Sequence, residues 1–540
     1  MGGTLKTTGG KVTMFGNAVQ VPSQFHGLVS VNVNAHSNTT SSEWYAYTLP
    51  IIGGCLTGNP CSPLGNAVVA GSYDKTWTAV AGPTTLGGQP SYTTFDSSVA
   101  QSLDDWDTCG QNTGITGTPC ATAPHKKVVL EFANTLYQDP GTGNMNAGPP
   151  SWFSARIPLA SLSSDSSGNI TAVTTVNNQA HIFVGTVAGQ QIQFLGNTPS
   201  TLNGVYTITS ATDSGTCPST CITTIVASGG PTSATASVVG TEGNPFMDYD
   251  NSAIAGTSND VCGDGGIPVW WSPNFENAWQ AFLIHEFTTY GADSRVALFR
   301  PGFGYGYENY PGTNNSTTAS HNCRAVLQSF GYASGEPSSC GAGGGCAYWE
   351  AYLNTQLTWA EANLLTLTTK PVESSLSCTI QGPGQDKAAA TTQAANAIAA
   401  GLTLNSNGLA GSTDLGYVYP STACDNNSCY NFDTYRGPRS FSWQALALSD
   451  PSNALVPGSG GCTSSNCKQS ANTGAWPPLI NVVMPRGVQR VEVFNRDLEC
   501  TETGFDASNF GFSPPPIINY AACTAAGYLQ AFLYFANLFD

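Results

Sequence analysis

The 540-residue chain predicts an α/β protein: a (β/α)8 TIM barrel with a small all-β insertion domain and disulfide-clipped loops. Three observations lead there. Apolar, β-branched runs around His26, Trp77, Val128, Val296, Val372, Leu402, Phe441 and Val491 alternate with stretches of helical periodicity, the pattern of a parallel sheet covered by helices. Residues 165–240 lose nearly all charge and alternate polar with apolar positions in Thr/Val/Gly/Ser-rich sequence, as antiparallel strands do. Cysteines recur at short range inside polar turns. The expected division is 1–164 for the first three barrel strands, 165–240 for the insertion and 241–540 for the remaining strands.

Taken in order, Met1 to Pro22 is a polar lead with a hairpin, and Phe25 to Asn34 is the first barrel strand. The second is expected at Thr76 to Gly82. Phe95, Val99, Leu103 and Trp106, three to four residues apart, predict a helix over Tyr92 to Asp107, and Lys127 to Asn134 is the third strand. Beyond the insertion, Phe275, Ala278, Trp279, Phe282, Leu283 and Phe287 give a helix one apolar face, up to Tyr290. Helices over Trp349 to Thr368 and Asp386 to Ala400 precede the strands at Val372 and Leu402, Trp476 to Pro485 is a short helix, and Tyr520 to Phe539 closes the chain. A doubly wound sheet would need a glycine-rich phosphate turn after its first strand, and Asn32-Val-Asn-Ala-His-Ser-Asn-Thr offers none.

Charge narrows the function. A formal net charge of -17 arises from only 34 acidic and 17 basic residues, with no basic stripe to neutralise phosphates, which argues against nucleic acid and anionic membranes as partners. No apolar run is long enough to span a bilayer. Met1-Gly-Gly-Thr does not read as a signal peptide, so an exported chain would be one lacking its leader. Six scattered histidines suggest no metal centre. His285-Glu286 lacks the second histidine four residues on that a zinc protease helix carries, and reads as a surface or core pair. No cofactor is expected.

The 17 cysteines point to an oxidising compartment. Cys55 and Cys61, Cys109 and Cys120, Cys217 and Cys221, Cys340 and Cys346, Cys424 and Cys429, and Cys462 and Cys467 each close a short Gly/Ser/Asn loop, while Cys500 and Cys523 would tie the last strand to the last helix. Zinc ligation is the competing reading, weakened by spacings that are not C-x2-C and by the absence of partnering histidines. Sequons at Asn38, Asn169, Asn314, Asn315 and Asn426 are compatible with export to an extracellular location.

The chemistry concentrates in Ile267 to Pro311. Val296-Ala-Leu-Phe-Arg-Pro-Gly-Phe-Gly-Tyr-Gly-Tyr-Glu308 is an apolar strand that breaks into glycines and ends on a carboxylate, the way a buried parallel strand carries an acid out of its C-terminal end. Glycines at 302, 304 and 306 leave the backbone open to a ligand, while Phe303, Tyr305 and Tyr307 offer flat rings suited to sugars. A Gly-aromatic loop with a solvated glutamate is the plainer alternative.

The block PVWWSPNFENAWQAFLIHEFTTYGADSRVALFRPGFGYGYENYP resembles the third helix and fourth strand of clan A glycoside hydrolases, especially barrels similar to glycoside hydrolase family 42 β-galactosidases and their secreted relatives. The later SDPSN (Ser449 to Asn453), WPPLINVVMPRG (Trp476 to Gly487) and VQRVEVFNRDL (Val488 to Leu498) resemble the C-terminal blocks of those relatives, together about a third of the chain. The 165–240 region resembles small β-domains appended to extracellular proteins, through Leu202-Asn-Gly-Val-Tyr-Thr-Ile-Thr and Cys221-Ile-Thr-Thr-Ile-Val. A spacer or protein contact, self-assembly included, and a carbohydrate- or surface-binding module are its two readings.

The resemblance implies cleavage of a β-linked poly- or oligosaccharide by two carboxylates, with retention as the clan expectation. Glu308 matches the acid/base position, where apolar, aromatic neighbours raise a carboxyl pKa so that it stays protonated until needed. The clan's Asn-Glu pair is Tyr307-Glu308 here. The clan nucleophile belongs to the seventh strand, where Phe441-Ser-Trp-Gln444 has no carboxylate; Glu492, on the eighth by this count, is the chosen second catalytic residue, with Asp450 and Asp497 behind it and a structural pairing with Arg300 or Arg490 as its alternative role. Arg300, Asn134, Asn405, Trp443, Gln444, Trp77 and Trp271 join Tyr305 and Tyr307 as candidate substrate contacts. The competing function is a non-catalytic extracellular scaffold, filament or surface-layer subunit that keeps the barrel and has lost the nucleophile.

Overall fold

The computed structural model describes residues 11–14, 17–20, 28–32, 69–107, 127–134, 149–175, 182–217, 219–247, 267–304, 309, 347–377, 394–409, 441–445 and 488–494. A hairpin of β1 (Lys11–Met14) and β2 (Asn17–Gln20) comes first. The main sheet then takes one strand at a time: β3 (Leu28–Asn32), β4 (Val69–Thr76) and β5 (Lys127–Ala133), and, after a separate antiparallel unit, β14 (Val296–Pro301), β15 (Glu373–Ser377), β16 (Thr403–Leu409), β17 (Phe441–Ala445) and β18 (Val488–Phe494). All neighbours are parallel, in the order β14-β5-β4-β3-β18-β17-β16-β15. The two end strands also meet: Phe299 and Val372 form a parallel bridge, with the Phe299 N–H donating to Pro371 O at 3.1 Å.

The expected eight parallel strands are therefore present in chain order, with one shift of position. The second begins at Val69, and Trp77–Ala79, expected within it, is a 3-10 turn at its exit. Val69-Ala-Gly-Ser-Tyr-Asp-Lys-Thr carries a glycine and an aspartate that weaken its strand signal, whereas the aromatic Trp77 attracts the assignment.

Helices α1 (Thr93–Asp107), a single turn α2 (Ser151–Ser154), α3 (Pro273–Tyr290) and α4 (Ala347–Asn363) lie in the connections. Residues 394–399 are also helical, inside the expected 386–400 helix. The expected helices at 476–485 and 520–539 fall outside the described residues. Among the described residues no helix is long and apolar enough to cross a membrane.

Helix α3 starts where its chemistry dictates: Ser272 Oγ accepts the Phe275 N–H at 3.3 Å, and Pro273 fills a first-turn position that needs no N–H. Its buried face carries Phe275, Ala278, Trp279, Phe282, Leu283 and Phe287, as the spacing predicts. Trp279 meets Trp77 edge-on with centroids 5.3 Å apart, and Phe282 meets Phe95 of α1 at 5.0 Å and Phe132 of β5 at 5.6 Å. Phe287 lies 4.4 Å from Phe299 of β14. Phe132 and Phe299 thus face the helices. Glu131 and Arg300, the next residues along each strand, point the other way, since successive strand residues alternate sides.

The antiparallel unit is a closed barrel, β10-β7-β6-β11-β8-β9. Its strands are β6 (Ile157–Ser164), β7 (Ile170–Thr174), β8 (Gln191–Leu195), β9 (Gly204–Ser214), β10 (Ile222–Ser228) and β11 (Thr241–Gly243), so it begins earlier in the chain than residue 165. Ile157, Leu159, Leu162, Ile170, Ile192, Phe194, Ile208 and Ile225 fill its interior. The β6–β7 turn is set by Asp165, whose Oδ1 accepts the Ser167 and Asn169 N–H groups at 2.7 and 2.9 Å, and by Gly168 at φ 77°. The Asn169 side-chain amide, which donates to Asp165 Oδ2 at 2.8 Å, and then the Asn169 N–H hold the Asp165 carboxyl below its ordinary pKa. Two further short strands, β12 (Phe246–Met247) and β13 (Ile267–Pro268), pair with each other.

The small barrel is seated on α3 by Asn274. Its Oδ1 accepts the Gln191 N–H at 2.6 Å, and its Nδ2 donates to Gln191 O at 2.8 Å and to Asn244 Oδ1 at 2.6 Å. Asn244 Nδ2 donates in turn to Phe153 O and Ile182 O, and the Trp152 indole N–H donates to Val80 O at 2.9 Å.

Inside this unit, Glu242 of β11 is fully buried and its Oε2 has no hydrogen-bond partner among the described residues. Burial pushes its carboxyl up to about 8, with Arg156 partly offsetting the effect. The unfolded chain releases this proton near the ordinary carboxylate pKa, whereas the folded chain holds it to about 8. The stability contributed by the neutral carboxyl is therefore complete at acid pH and is lost as pH rises to about 8. A Glu242→Gln variant removes that slope: thermal unfolding followed from pH 4 to 9 is expected to show it gaining on the parent by roughly 4–5 kcal/mol across this window.

Candidate active site at the exit of the fourth parallel strand

The glycine-rich stretch that follows β14 is clamped from three directions as it leaves the sheet. Gly302 N–H donates to Phe132 O at 2.8 Å and Gly302 O accepts Asn134 Nδ2 at 3.2 Å, tying the exit to β5. Phe303 O accepts the Tyr352 hydroxyl of α4 at 2.9 Å. Burial, reinforced by nearby Glu276, holds the Tyr352 phenol well above its usual pKa, so it stays a neutral donor. Asn309 then returns to the same place: its Oδ1 accepts the Phe303 N–H at 3.2 Å and its Nδ2 donates to Ser374 Oγ of β15 at 2.7 Å. Glu308, Tyr305 and Tyr307 lie outside the described residues.

Beneath this exit, the side of the strands facing away from α3 is polar and paired. Arg300 Nη1 donates to Glu131 Oε1 at 3.3 Å, with both side chains at 0% exposure. Asn405 Nδ2 donates to Glu373 Oε2 at 3.4 Å, both again fully buried. Such groups are tolerated in a sheet interior only with partners, because an unpaired buried charge costs far more than the pair gains. Below them, Val129 and Leu298 form a small apolar cluster.

Arg300 and Asn405, expected as substrate contacts, are thus engaged with carboxylates and closed to solvent. Asn134 is also fully buried: besides the bond to Gly302, its carbonyl O accepts the Trp77 indole N–H at 2.9 Å and its Oδ1 that of Trp270 at 3.3 Å. Trp77, expected to stack on a sugar, has 0% exposure among Trp152, Phe153, Phe275, Trp279 and Phe282, so its ring is committed to the core. Trp271 is half-buried. For Trp443, Gln444 and Glu492 the backbone register alone is described: Trp443 pairs with Ser406 and Val491, and Gln444 with Asn407 and Glu492. Glu492 pairs on its other side with Ser30, which places it on the eighth strand of the parallel order, beside the first.

Sequence reasoning passed over Glu131, Glu373, Asn309, Ser374 and Tyr352. The signal for Glu131 was a lone acid in Val-Val-Leu-Glu-Phe-Ala, since a charge inside an apolar strand must find a partner. Of the cysteines, Cys217 and Cys221 form the expected disulfide across the β9–β10 connection. Cys55, Cys61, Cys109, Cys120, Cys340, Cys346, Cys424, Cys429, Cys462, Cys467, Cys500 and Cys523 lie outside the described residues.

No family model matches the chain, and no curated protein matches it. Among solved structures the chain is similar to the catalytic domain of β-amylase from Paenibacillus polymyxa, at 12% identity and a TM-score of 0.40, over 96% of this chain and 99% of that one.

The Glu131–Arg300 pair gives the interior a direct test. Glu131→Ala removes a carboxylate partner of a fully buried guanidinium and is expected to cost about 3–5 kcal/mol in urea unfolding. Replacing both residues with apolar ones of similar size is expected to recover most of that loss.

Proposed function

We propose that the protein is a secreted glycoside hydrolase that cleaves a β-linked poly- or oligosaccharide with Glu308 as general acid/base and Glu492 as the second carboxylate. In this reading the eight-stranded sheet with joined edges is a (β/α)8 barrel, whose strand exits bear the substrate site. The observation that carries it is the anchoring of the β14 exit. Asn309, the residue after Glu308, is bonded to both Phe303 and Ser374, so the short Gly304–Asn309 segment starts and ends on fixed points beside β15. Proton transfer to a leaving oxygen requires a positioned carboxylic acid, and Glu308 directly precedes this anchored asparagine in the chain.

The sequence neighbours Phe303, Tyr305 and Tyr307 are the apolar rings that keep such an acid protonated and give a sugar a stacking surface. Gln444, beside Glu492 in register, supplies an amide for a sugar hydroxyl. The general acid protonates the glycosidic oxygen while the second carboxylate attacks the anomeric carbon; the first then deprotonates water to release the sugar, with net retention. Glu492 on the eighth strand departs from the seventh-strand position of the resembling clan, so the carboxylate separation decides the stereochemistry: about 5–5.5 Å for retention and about 6.5–9.5 Å for inversion.

A second reading, a non-catalytic extracellular scaffold, is favoured by one observation: Trp77, Asn134, Arg300 and Asn405 are all at 0% exposure and none offers a free contact to sugar. The test is hydrolysis of a panel of β-linked aryl glycosides and polysaccharides by the full chain, with the released anomer read by NMR. Glu308→Gln is expected to lower the rate by about 10²–10⁴-fold and Glu492→Gln by at least as much. Hydrolysis untouched by either change overturns the assignment of these residues, and no hydrolysis of any member of the panel overturns the enzyme in favour of the scaffold.

A further inference from the structure

On the outer side of the sheet, α1 and α3 bring together three metal-ligating side chains that the hydrolase reading does not use. His285 Nε2 lies 3.0 and 3.1 Å from the two carboxylate oxygens of Asp96, and one ligand atom from each of Asp96, His285 and Glu286 falls within 4.8 Å of the others. Glu286 stands out. It has 0% exposure, and neither of its carboxylate oxygens has a hydrogen-bond partner among the described residues. A buried carboxyl is ordinarily satisfied, and this one keeps both oxygens open to a ligand beside an imidazole and a second carboxylate.

The surroundings hold the donors in place. The Tyr92 ring stacks on the His285 imidazole at 4.0 Å, and its hydroxyl, also buried, has no partner. The Tyr290 hydroxyl donates to Asp96 O at 3.1 Å, fixing the first turn of α1 against the last turn of α3. His285 and Asp96 keep about a third of their side-chain surface open, 31% and 30%, which gives an ion a way in.

We infer that Asp96, His285 and Glu286 form a binding site for a first-row divalent cation such as Zn²⁺, clipping α1 to α3. One imidazole and two carboxylates are a borderline-hard N/O donor set that suits Zn²⁺ over soft, thiolate-seeking ions, with water completing the shell. Zn–N and Zn–O bonds of about 2.0–2.2 Å draw ligand atoms to roughly 3–4 Å from one another, so the present spacing needs only small side-chain rotations. His285 would bind the ion through neutral Nε2, the ring nitrogen that faces Asp96, with the ring proton on Nδ1. The role is structural: the site lies against the helix-packing face of the sheet, on the side opposite Glu131 and Arg300.

The test uses the full chain, stripped with chelator and titrated with Zn²⁺ by calorimetry, with bound metal counted after gel filtration. The expected result is one tightly held Zn²⁺ per chain that raises Tm. Glu286→Gln, which preserves shape and removes the charge, and His285→Ala are each expected to weaken it by more than the roughly 10–100-fold that loss of an outer-shell partner causes. Co²⁺ substitution separates this site from the cysteines: a visible d–d band without thiolate charge transfer, lost in Glu286→Gln, supports the assignment. Equal metal content and equal Tm shift in the parent and a folded Glu286→Gln variant, or no tightly held ion in the parent, overturns it.

Discussion

The architecture rests on a division of labour between the two sides of β5 and β14. On β5 and β14, Phe132 and Phe299 turn outward to meet Phe282 and Phe287 of α3, while Glu131 and Arg300 turn inward and neutralise each other. Strand alternation makes these inseparable: a slip of one residue would put the ion pair under the helix and the phenyl rings among the inward-facing polar groups. The aromatic layer under α3 and the polar layer inside the sheet are thus two readings of one register, and the layer of Trp77, Trp279 and Phe282 is available only where that register holds.

The same constraint explains why the polar interior and the anchored exit occur together. Arg300 brings its charge to the inner side just before Pro301 ends the strand, and the chain then passes into Gly302 and Phe303, whose backbone groups are taken up by Phe132, Asn134, Asn309 and Tyr352. A glycine-rich segment would otherwise be the most mobile part of such a connection. Here Gly302 and Phe303 are bonded to β5, to α4 and to Asn309 at the strand exit, where parallel sheets place their chemistry.

Much of this was legible in the sequence, and the gaps have physical causes. The apolar periodicity of Phe275 to Phe287 gave α3 to its last residue, and the apolar runs gave eight parallel strands in order, because burial on one face leaves a strong periodic trace. Strand β4 was displaced because its sequence is weak in β-formers while Trp77, just beyond it, is strong. The site was less legible. Asn134, Arg300 and Asn405 were read as candidate substrate contacts, yet polar side chains aimed at one another and at a substrate look alike in one dimension. Trp77 misled for a related reason: an indole serves equally as a stacking platform and as core filler, and only the neighbouring rings decide. Glu286 was invisible as anything but half of a His-Glu pair, since Asp96, which joins His285 beside it, is nearly two hundred residues away.

Asn274 has a mechanical consequence. Its side chain grips both the N–H and the C=O of Gln191 in β8 while its backbone forms the opening turn of α3. A force applied to the small barrel, by a bound surface or a neighbouring molecule, therefore enters α3 along its axis through a two-pronged amide contact, and α3 passes it through Phe287 to Phe299 and so to the strand leading to Glu308. The insertion is coupled to the strand exit as a handle is to a shaft, with Asn274 as one of the pins alongside Asn244 and Trp152.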